Sequence, residues 1–408
     1  MKHLLVSYHT CPLEEPGVGL SGGMNVFLRG LLPGLAARGI ATDVLTRGKG
    51  ASPEITLPFP GVRILHLPCG WKEPPSRESA YEALPGFVEE ARKALAASGR
   101  SCDVVSAHYW MSGVAARGFW GDIPGFIERQ VEECPPPTPP LVFMYHTVEA
   151  FKRASTESSS AGLPALRMEA EESLAGEADR VVFFSAEDFA RTSGIFPAAR
   201  GKGVVIPPGI DDAFRHPPPR EEARRRLGIP PEAFLFLLAA RPDPGKNVAS
   251  AVEAFRALRL ARGPRLRLLV AGQELRQAGL PEGASCAGTV PHAGMPELFS
   301  AADAVLCPSG YESFGLVPLE AMAAGVPVVL PDSGFWGSKI RSGGGGLTYA
   351  PGDERGLLEA MEAVYASGPT RVRPGKEGIR AAAPFTWGKC TASWAKLLRS
   401  AARRGSPR

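Results

Sequence analysis

The stretch "VVIPPGIDDAFRHPPPREEARRRLG", residues 204–228, decides the architecture. Pro207, Pro208, Pro217, Pro218 and Pro219 crowd into it. Proline fixes φ and has no N–H to donate, so such a run interrupts both helices and central strands. It reads as a linker near 207–219. On both sides of it the chain alternates short apolar runs with helical patterns. Upstream, strands are expected at "HLLVSY" (3–8), "ATDVLT" (41–46), "VRILHL" (62–67), "DVVSAH" (103–108), "LVFMYH" (141–146) and "RVVFFS" (180–185), with a helix over 24–39 that Pro33 should kink. Downstream they are expected at "AFLFLLAA" (233–240), "RLRLLVAG" (265–272), "AVLCPS" (304–309) and "PVVLPDSG" (327–334). Strands alternating with helices imply a parallel sheet covered on both faces. The expected fold is therefore α/β, with two doubly wound, Rossmann-like domains at 1–206 and 207–385. Residues 386–408 contain an amphipathic helix, "TWGKCTASWAKLLRSAARR", expected to pack back on the first domain. Open α/β sheets bind ligands at the carboxyl ends of their strands, so a cleft between the domains is the expected site.

Composition narrows the function classes. The chain has 408 residues, more than one average domain of ~150. It is 44% hydrophobic and 22% charged, ordinary values for a chain with a full core. A net charge of +4 gives no nucleic-acid stripe but suits anionic small molecules. The longest apolar runs, such as "FLFLLAA" (234–240), fall far short of the roughly 20 residues that span a bilayer. "HLLV" at the start reads as a buried strand and not as a signal peptide. Seven cysteines without a Cys-x-x-Cys pair suit a reducing cytoplasm. Only two asparagines, Asn25 and Asn247, occur beside 40 prolines, a bias expected of a thermophile. A homodimer is compatible with all of this.

In "HTCPLEEPGVGLSGGMNVFLRG" (9–30), Gly17, Gly19 and Gly22 have the spacing of a dinucleotide fingerprint. In that fingerprint the first glycine follows the first strand directly, and an acid closes the second strand. Here polar residues separate Tyr8 from Gly17, and Arg47 stands where the acid belongs. Arg47 would suit a 2′-phosphate, so an NADP-dependent oxidoreductase stays open. Alternatively, Gly22 and Gly23 open the first helix beneath an anionic ligand. A plain turn is the third possibility.

The second half is more specific. In "YESFGLVPLEAMAAGVPVV" (311–329), Glu312 precedes a helix and Glu320 lies one to two turns inside it. The backbone N–H groups of Phe314, Gly315, Leu316 and Val317 start that helix and can receive a diphosphate. A carboxylate on either side can accept from hydroxyls. In "LAARPDPGKNVASAVEAF" (238–255), Arg241 and Lys246 follow a strand in a Pro-Gly loop, the place for a diphosphate clamp, with Asn247 set to cap the next helix. Taken singly, each of these charges could equally be a solvated surface residue.

Together these motifs resemble the retaining glycosyltransferase family 4, which has the GT-B fold. "GGMNV", Arg241 with Lys246, "AADAVLCPS" and the two spaced glutamates occur in the family order over most of the chain. The likeness is greatest to the mycothiol-pathway branch, which puts N-acetylglucosamine on 1L-myo-inositol 1-phosphate (D-inositol 3-phosphate). The resemblance implies a nucleotide-sugar donor, UDP-N-acetylglucosamine or UDP-glucose, and a phosphorylated acceptor, with no cofactor required. A Mg²⁺ ion at the diphosphate is compatible with it, although no metal-ligand cluster is visible. It assigns the diphosphate to Arg241, Lys246 and Gly23, the ribose to Glu320 and the donor sugar to Glu312, with His146 near the anomeric centre. It assigns the acceptor to Asn25, Lys72, Tyr109, Thr147 and Arg167. Departures are Ala240 before the arginine, where the family has glycine, and Trp336 and Lys339 where it has Gly-Gly and then Glu. A sucrose-phosphate-type transferase is the nearest enzymatic alternative.

Overall fold

The computed structural model describes residues 1–17, 21–70, 76–98, 101–121, 138–155, 162–241, 243–272, 279–367 and 372–405. The first sheet contains β1 (Lys2–Ser7), β2 (Ala41–Arg47), β3 (Glu54–Phe59), β4 (Val62–Leu67), β5 (Val104–His108), β6 (Leu141–Met144), β7 (Arg180–Phe183) and β8 (Gly203–Val205). Its spatial order is β3-β4-β2-β1-β5-β6-β7-β8. All neighbours are parallel except the β3–β4 pair. The second sheet contains β9 (Phe234–Ala239), β10 (Leu266–Ala271), β11 (Ala284–Gly288), β12 (Ala304–Leu306), β13 (Val328–Pro331) and β14 (Gly346–Tyr349), in the parallel order β11-β10-β9-β12-β13-β14. The central strands are apolar on both faces because helices cover both. In β9, Phe234 to Leu238 are all buried.

Four strands were not expected from the sequence: β3, β8, β11 and β14. Each is a sheet edge. The first helix spans Gly23–Ala36 and not 24–39. Pro33 lies inside it, and the Ala37 amide still reaches the Pro33 carbonyl at 2.9 Å, so the helical turn closes beyond the proline.

The chain crosses between the two lobes at one place. Ile210 of the proline-rich linker bridges to Thr386, and the Arg215 guanidinium donates to the Phe385 carbonyl at 2.8 Å. The chain thus passes from lobe to lobe twice, side by side. The last helix, Trp387–Gly405, then lies along Gly23–Ala36. Gly30 and Gly34 make room for it. A Cβ on Gly30 would sit 2.1 Å from the Trp387 ring, and one on Gly34 2.3 Å from the Thr391 side chain. Trp394 is fully buried beside Phe27 and His108, with ring centroids 6.2 and 5.4 Å away.

Candidate active site between the lobes

A cleft of about 360 Å³ runs between the lobes and takes residues from both. Two helix starts face each other across it. On one side Gly22 caps the helix Gly23–Ala36; on the other Gly315 caps Leu316–Ala323. A Cβ on Gly23 would lie 3.5 Å from Leu316 Cδ1. Such ends carry unpaired N–H groups and partial positive charge, so together they favour an anion. Gly315 is required twice over. Its φ is +87°, and an added Cβ would stand 3.0 Å from Trp336. The Trp336 indole N–H donates to the Gly315 carbonyl at 2.9 Å. The tryptophan that departs from the family pattern therefore buttresses the helix start.

Arg241 reaches across the cleft. Its Nη1 donates to the Ser21 carbonyl at 3.2 Å, and a Cβ on Gly22 would meet the guanidinium carbon at 3.1 Å. A glycine at 22 is what lets the cation lie on the loop. Burial and the neighbouring Arg77 lower its proton affinity, while Asp243 and Glu312 raise it. Lys246 donates to Glu312 at 2.5 Å. An ammonium has three donors, so this contact orients Lys246 and leaves N–H bonds for a ligand. Asn247 occupies the capping position with φ 48°, yet its side chain does not cap the helix as expected. It donates instead to the Pro308 carbonyl at 3.0 Å, tying the cationic loop to the segment that carries Glu312.

Glu320 is buried, and its Oε1 lies 2.8 Å from His292 Nε2. Burial raises the Glu320 pKa and His292 opposes this. Burial would lower His292, but Glu320 and then Asp211 outweigh it and raise its pKa above the usual imidazole value. Asp211 in turn accepts from the Trp387 indole at 2.6 Å, at the crossing between the lobes.

On the opposite wall Tyr109, Thr147, His146 and Arg167 line the cleft together. Tyr109 and His146 have φ of 77° and 59°, rare for non-glycine residues. Arg167 is almost fully buried. It pairs with Glu149 at 2.9 Å and Glu171 at 2.7 Å, and donates to Thr147 Oγ1 at 2.9 Å and the Tyr109 hydroxyl at 3.2 Å. Two carboxylates already match its charge, so it holds Thr147 and Tyr109 in place more than it supplies a net cation. The exposed basic character on this wall comes from Arg77 and Lys152, which the sequence did not single out. Both pair with Asp243 of the other lobe, at 4.0 and 3.6 Å. Neither lies in a recognisable motif, so only the fold brings them into view.

One expected acceptor residue, Asn25, does not line the cleft. Asn25 is fully buried away from the cleft. Its carbonyl oxygen accepts from the Gly22 amide at 2.9 Å, and its amide donates to the Cys11 carbonyl at 2.6 Å and Thr10 Oγ1 at 3.0 Å. It shapes the glycine loop. Lys72 lies outside the described residues, as does Gly19. Phe314 also turns its ring inward, 5.0 Å from that of Phe335, so only its backbone faces the cleft chemistry.

Residues 219–381 match the family described as Glycosyl transferases group 1, and residues 22–209 match the Glycosyl transferase 4-like domain. The D-inositol 3-phosphate glycosyltransferase of Stackebrandtia nassauensis is 32% identical, over 94% of this chain and 88% of that protein. The protein of the same name from Actinosynnema mirum is 33% identical over 96% of each. This chain belongs to the group 1, 4-like glycosyltransferases. Among solved structures, sucrose-phosphate synthase from Thermosynechococcus elongatus superimposes with a TM-score of 0.84 at 25% identity, covering 98% of both chains. Anabaena HepE in complex with UDP and glucose has a TM-score of 0.68 at 18% identity, over 98% of this chain and 100% of that one. The glycosyltransferase thus has the two facing parallel sheets of the GT-B fold, as expected. The nicotinamide alternative falls: Gly22 opens onto Arg241 of the second lobe, and Arg47 is not among the residues lining the cleft. No helix among the described residues is long and apolar enough to cross a membrane.

Proposed function

We propose that this glycosyltransferase moves a sugar, with retention, from a UDP-sugar to a hydroxyl of a small phosphorylated acceptor, and that the pair it uses is UDP-N-acetylglucosamine and an inositol phosphate. The observation that carries the proposal is the meeting of Arg241, Lys246 and two helix starts in one cleft, flanked by Glu312 and Glu320. These cations and N–H groups suit a leaving diphosphate, whose charge grows as the glycosidic bond breaks. Glu320 accepts from the ribose, and Glu312 from the sugar hydroxyls while orienting Lys246. No pair of carboxylates working as acid and base is needed. The acceptor attacks from the face that the diphosphate leaves, and a departing phosphate oxygen takes its proton. The protein contributes position, charge and exclusion of water.

The acceptor phosphate belongs at Tyr109, Thr147 and Arg167, with Lys72 as the fourth group. Arg77 and Lys152 supply the cationic field, since Arg167 is already matched by Glu149 and Glu171. The names of the inositol phosphate glycosyltransferase relatives support the same acceptor. The test is mass spectrometry of products from a panel of nucleotide sugars and acceptors. The expected product is N-acetylglucosaminyl-inositol phosphate, with transfer to free inositol sharply weaker. Equal rates with inositol and its phosphate would remove the phosphate site. The likeness to sucrose-phosphate synthase favours a second reading, with fructose 6-phosphate as acceptor, which the same panel separates.

A further inference from the structure

A line of buried polar side chains runs behind His146, and the reaction outlined above does not account for it. Thr42 Oγ1 on β2 lies 3.2 Å from His3 Nδ1 on β1. His3 Nε2 lies 2.8 Å from Ser106 Oγ on β5, and Ser106 Oγ lies 3.3 Å from His108 Nε2. His108 Nδ1 then lies 3.0 Å from His146 Nε2. Thr42, His3, Ser106 and His108 are all buried. Burial drives His3 and His146 down to about 3 and His108 well below its usual value, so the imidazoles are neutral.

A neutral imidazole donates from one nitrogen and accepts at the other, and a hydroxyl donates once. The line therefore has two self-consistent directions, and reversing one bond reverses all of them. Its far end selects between them. His3 is the one side-chain partner of the Thr42 hydroxyl among the described residues. Were His3 to donate to Thr42, the buried threonine proton would be left without an acceptor, which costs about 1–3 kcal/mol. An unfilled lone pair on Thr42 costs far less. Thr42 thus donates to His3, His3 to Ser106, Ser106 to His108, and His108 Nδ1–H to His146 Nε2.

We infer that this line fixes His146 as its Nδ1–H tautomer, so that it presents a hydrogen-bond donor to the donor sugar or its departing phosphate oxygen. Thr42, His3, Ser106 and His108 are positioning residues; only His146 lines the cleft. Nδ1 has no protein partner among the described residues, and the backbone of His146 is held from the other lobe, where the Ser313 hydroxyl donates to its carbonyl. The inference about substrate rests on the proposed function; the tautomer does not.

Long-range ¹H–¹⁵N correlation on the full-length protein labelled at histidine reads the tautomer without substrate. The His146 signal, identified by its loss in His146→Gln, is expected to carry its proton on Nδ1. A proton on Nε2 overturns the inference. In Thr42→Val the terminal donor is gone, and the single Nδ1–H signature is expected to give way to a mixture; an unchanged spectrum overturns the role of Thr42. In His108→Leu, kcat is expected to fall on the order of tenfold, the loss of one good hydrogen bond, with donor KM nearly constant. His108→Gln, whose amide can accept from Ser106 and donate to His146, is expected to restore much of it. Unchanged turnover in His108→Leu with Nδ1–H intact in the wild type would overturn the contact to substrate while leaving the transferase reading in place. A protein with the Nε2–H form that still transfers sugar would do the reverse.

Discussion

Lys246 is the residue on which the chemistry of the cleft turns most directly. Its ammonium is part-exposed and paired with Glu312, so removing it leaves no buried unpaired charge. Lys246→Ala is expected to keep the fold by circular dichroism yet raise the transfer barrier by roughly 2.7–4 kcal/mol, the loss seen when one preorganised donor is removed. Wild-type turnover would dismiss the clamp. His292 makes a different prediction. Its folded pKa is raised above the unfolded value near 6.5 through Glu320 and Asp211, so its contribution to stability is complete below about 6.5 and fades as pH climbs through the folded pKa. The melting temperature of wild type minus that of His292→Gln is expected to be largest in mildly acid buffer and to shrink on the alkaline side. A difference that grows with pH would refute the ion pair. Both glutamates and both cations could be picked out in the sequence because each stands in a distinctive spacing. His292, Arg77 and Lys152 could not, because their partners lie far away: Glu320 is 28 residues from His292, and Asp243 is contributed by the other lobe. Asn25 shows the opposite failure. The family resemblance implied an acceptor contact for it, whereas its amide is consumed in shaping the glycine loop.

Among elements, legibility tracked position in the sheet. Ten strands betrayed themselves as apolar runs because helices cover both their faces. The four that did not, β3, β8, β11 and β14, are the edges. β3, "EITLPF", is exposed along most of its length and contains a proline, which an edge tolerates because one side needs no partner. β11, "ASCAG", alternates small half-buried and exposed residues, so it has no hydrophobic signature to read. Burial, and not strand propensity, is what the pattern reports. The last helix was expected to pack back on the first domain, but that its seat would be the helix Gly23–Ala36 was not legible. Their contact depends on the absence of side chains at Gly30 and Gly34. Gly30→Ala should gain about 0.5–1 kcal/mol of intrinsic helix preference, yet the methyl would overlap the Trp387 ring. Overpacking by that much costs typically about 1–3 kcal/mol, so a net loss of stability is expected in urea unfolding. A stabilised Gly30→Ala would show that the last helix is not seated on the first.

At the scale of the whole molecule, charged contacts cross the cleft beside two aromatic ones, Phe184 with Phe314 and Phe151 with Tyr311, while the joint behind it is packed. Arg77 and Lys152 meet Asp243, and Arg241 reaches Ser21, while Ile210, Thr386 and Trp387 hold the single joint. Two adjacent chain crossings on one side allow the lobes to rotate as bodies about that joint, the usual geometry of hinge closure. The ion pairs are part-exposed and long, so each contributes only about 0–1 kcal/mol. They are also open to screening: the Debye length falls from about 8 Å at physiological salt to about 3 Å at 1 M. A diphosphate between Arg241, Lys246 and the two helix starts would replace these weak links with charge-assisted bonds to both lobes. The radius of gyration from small-angle scattering is therefore expected to rise in about 1 M salt and to fall back when UDP is added at saturating concentration. Asp243→Asn should show the larger radius already at low salt, because Arg77 and Lys152 then lose their carboxylate partner on the other lobe and Arg77 faces Arg241 without it. A radius indifferent to salt, nucleotide and the Asp243 substitution would mean that the joint and the uncharged contacts Phe184–Phe314 and Phe151–Tyr311 fix the lobes, and that the charges lining the cleft act on ligands without acting on closure.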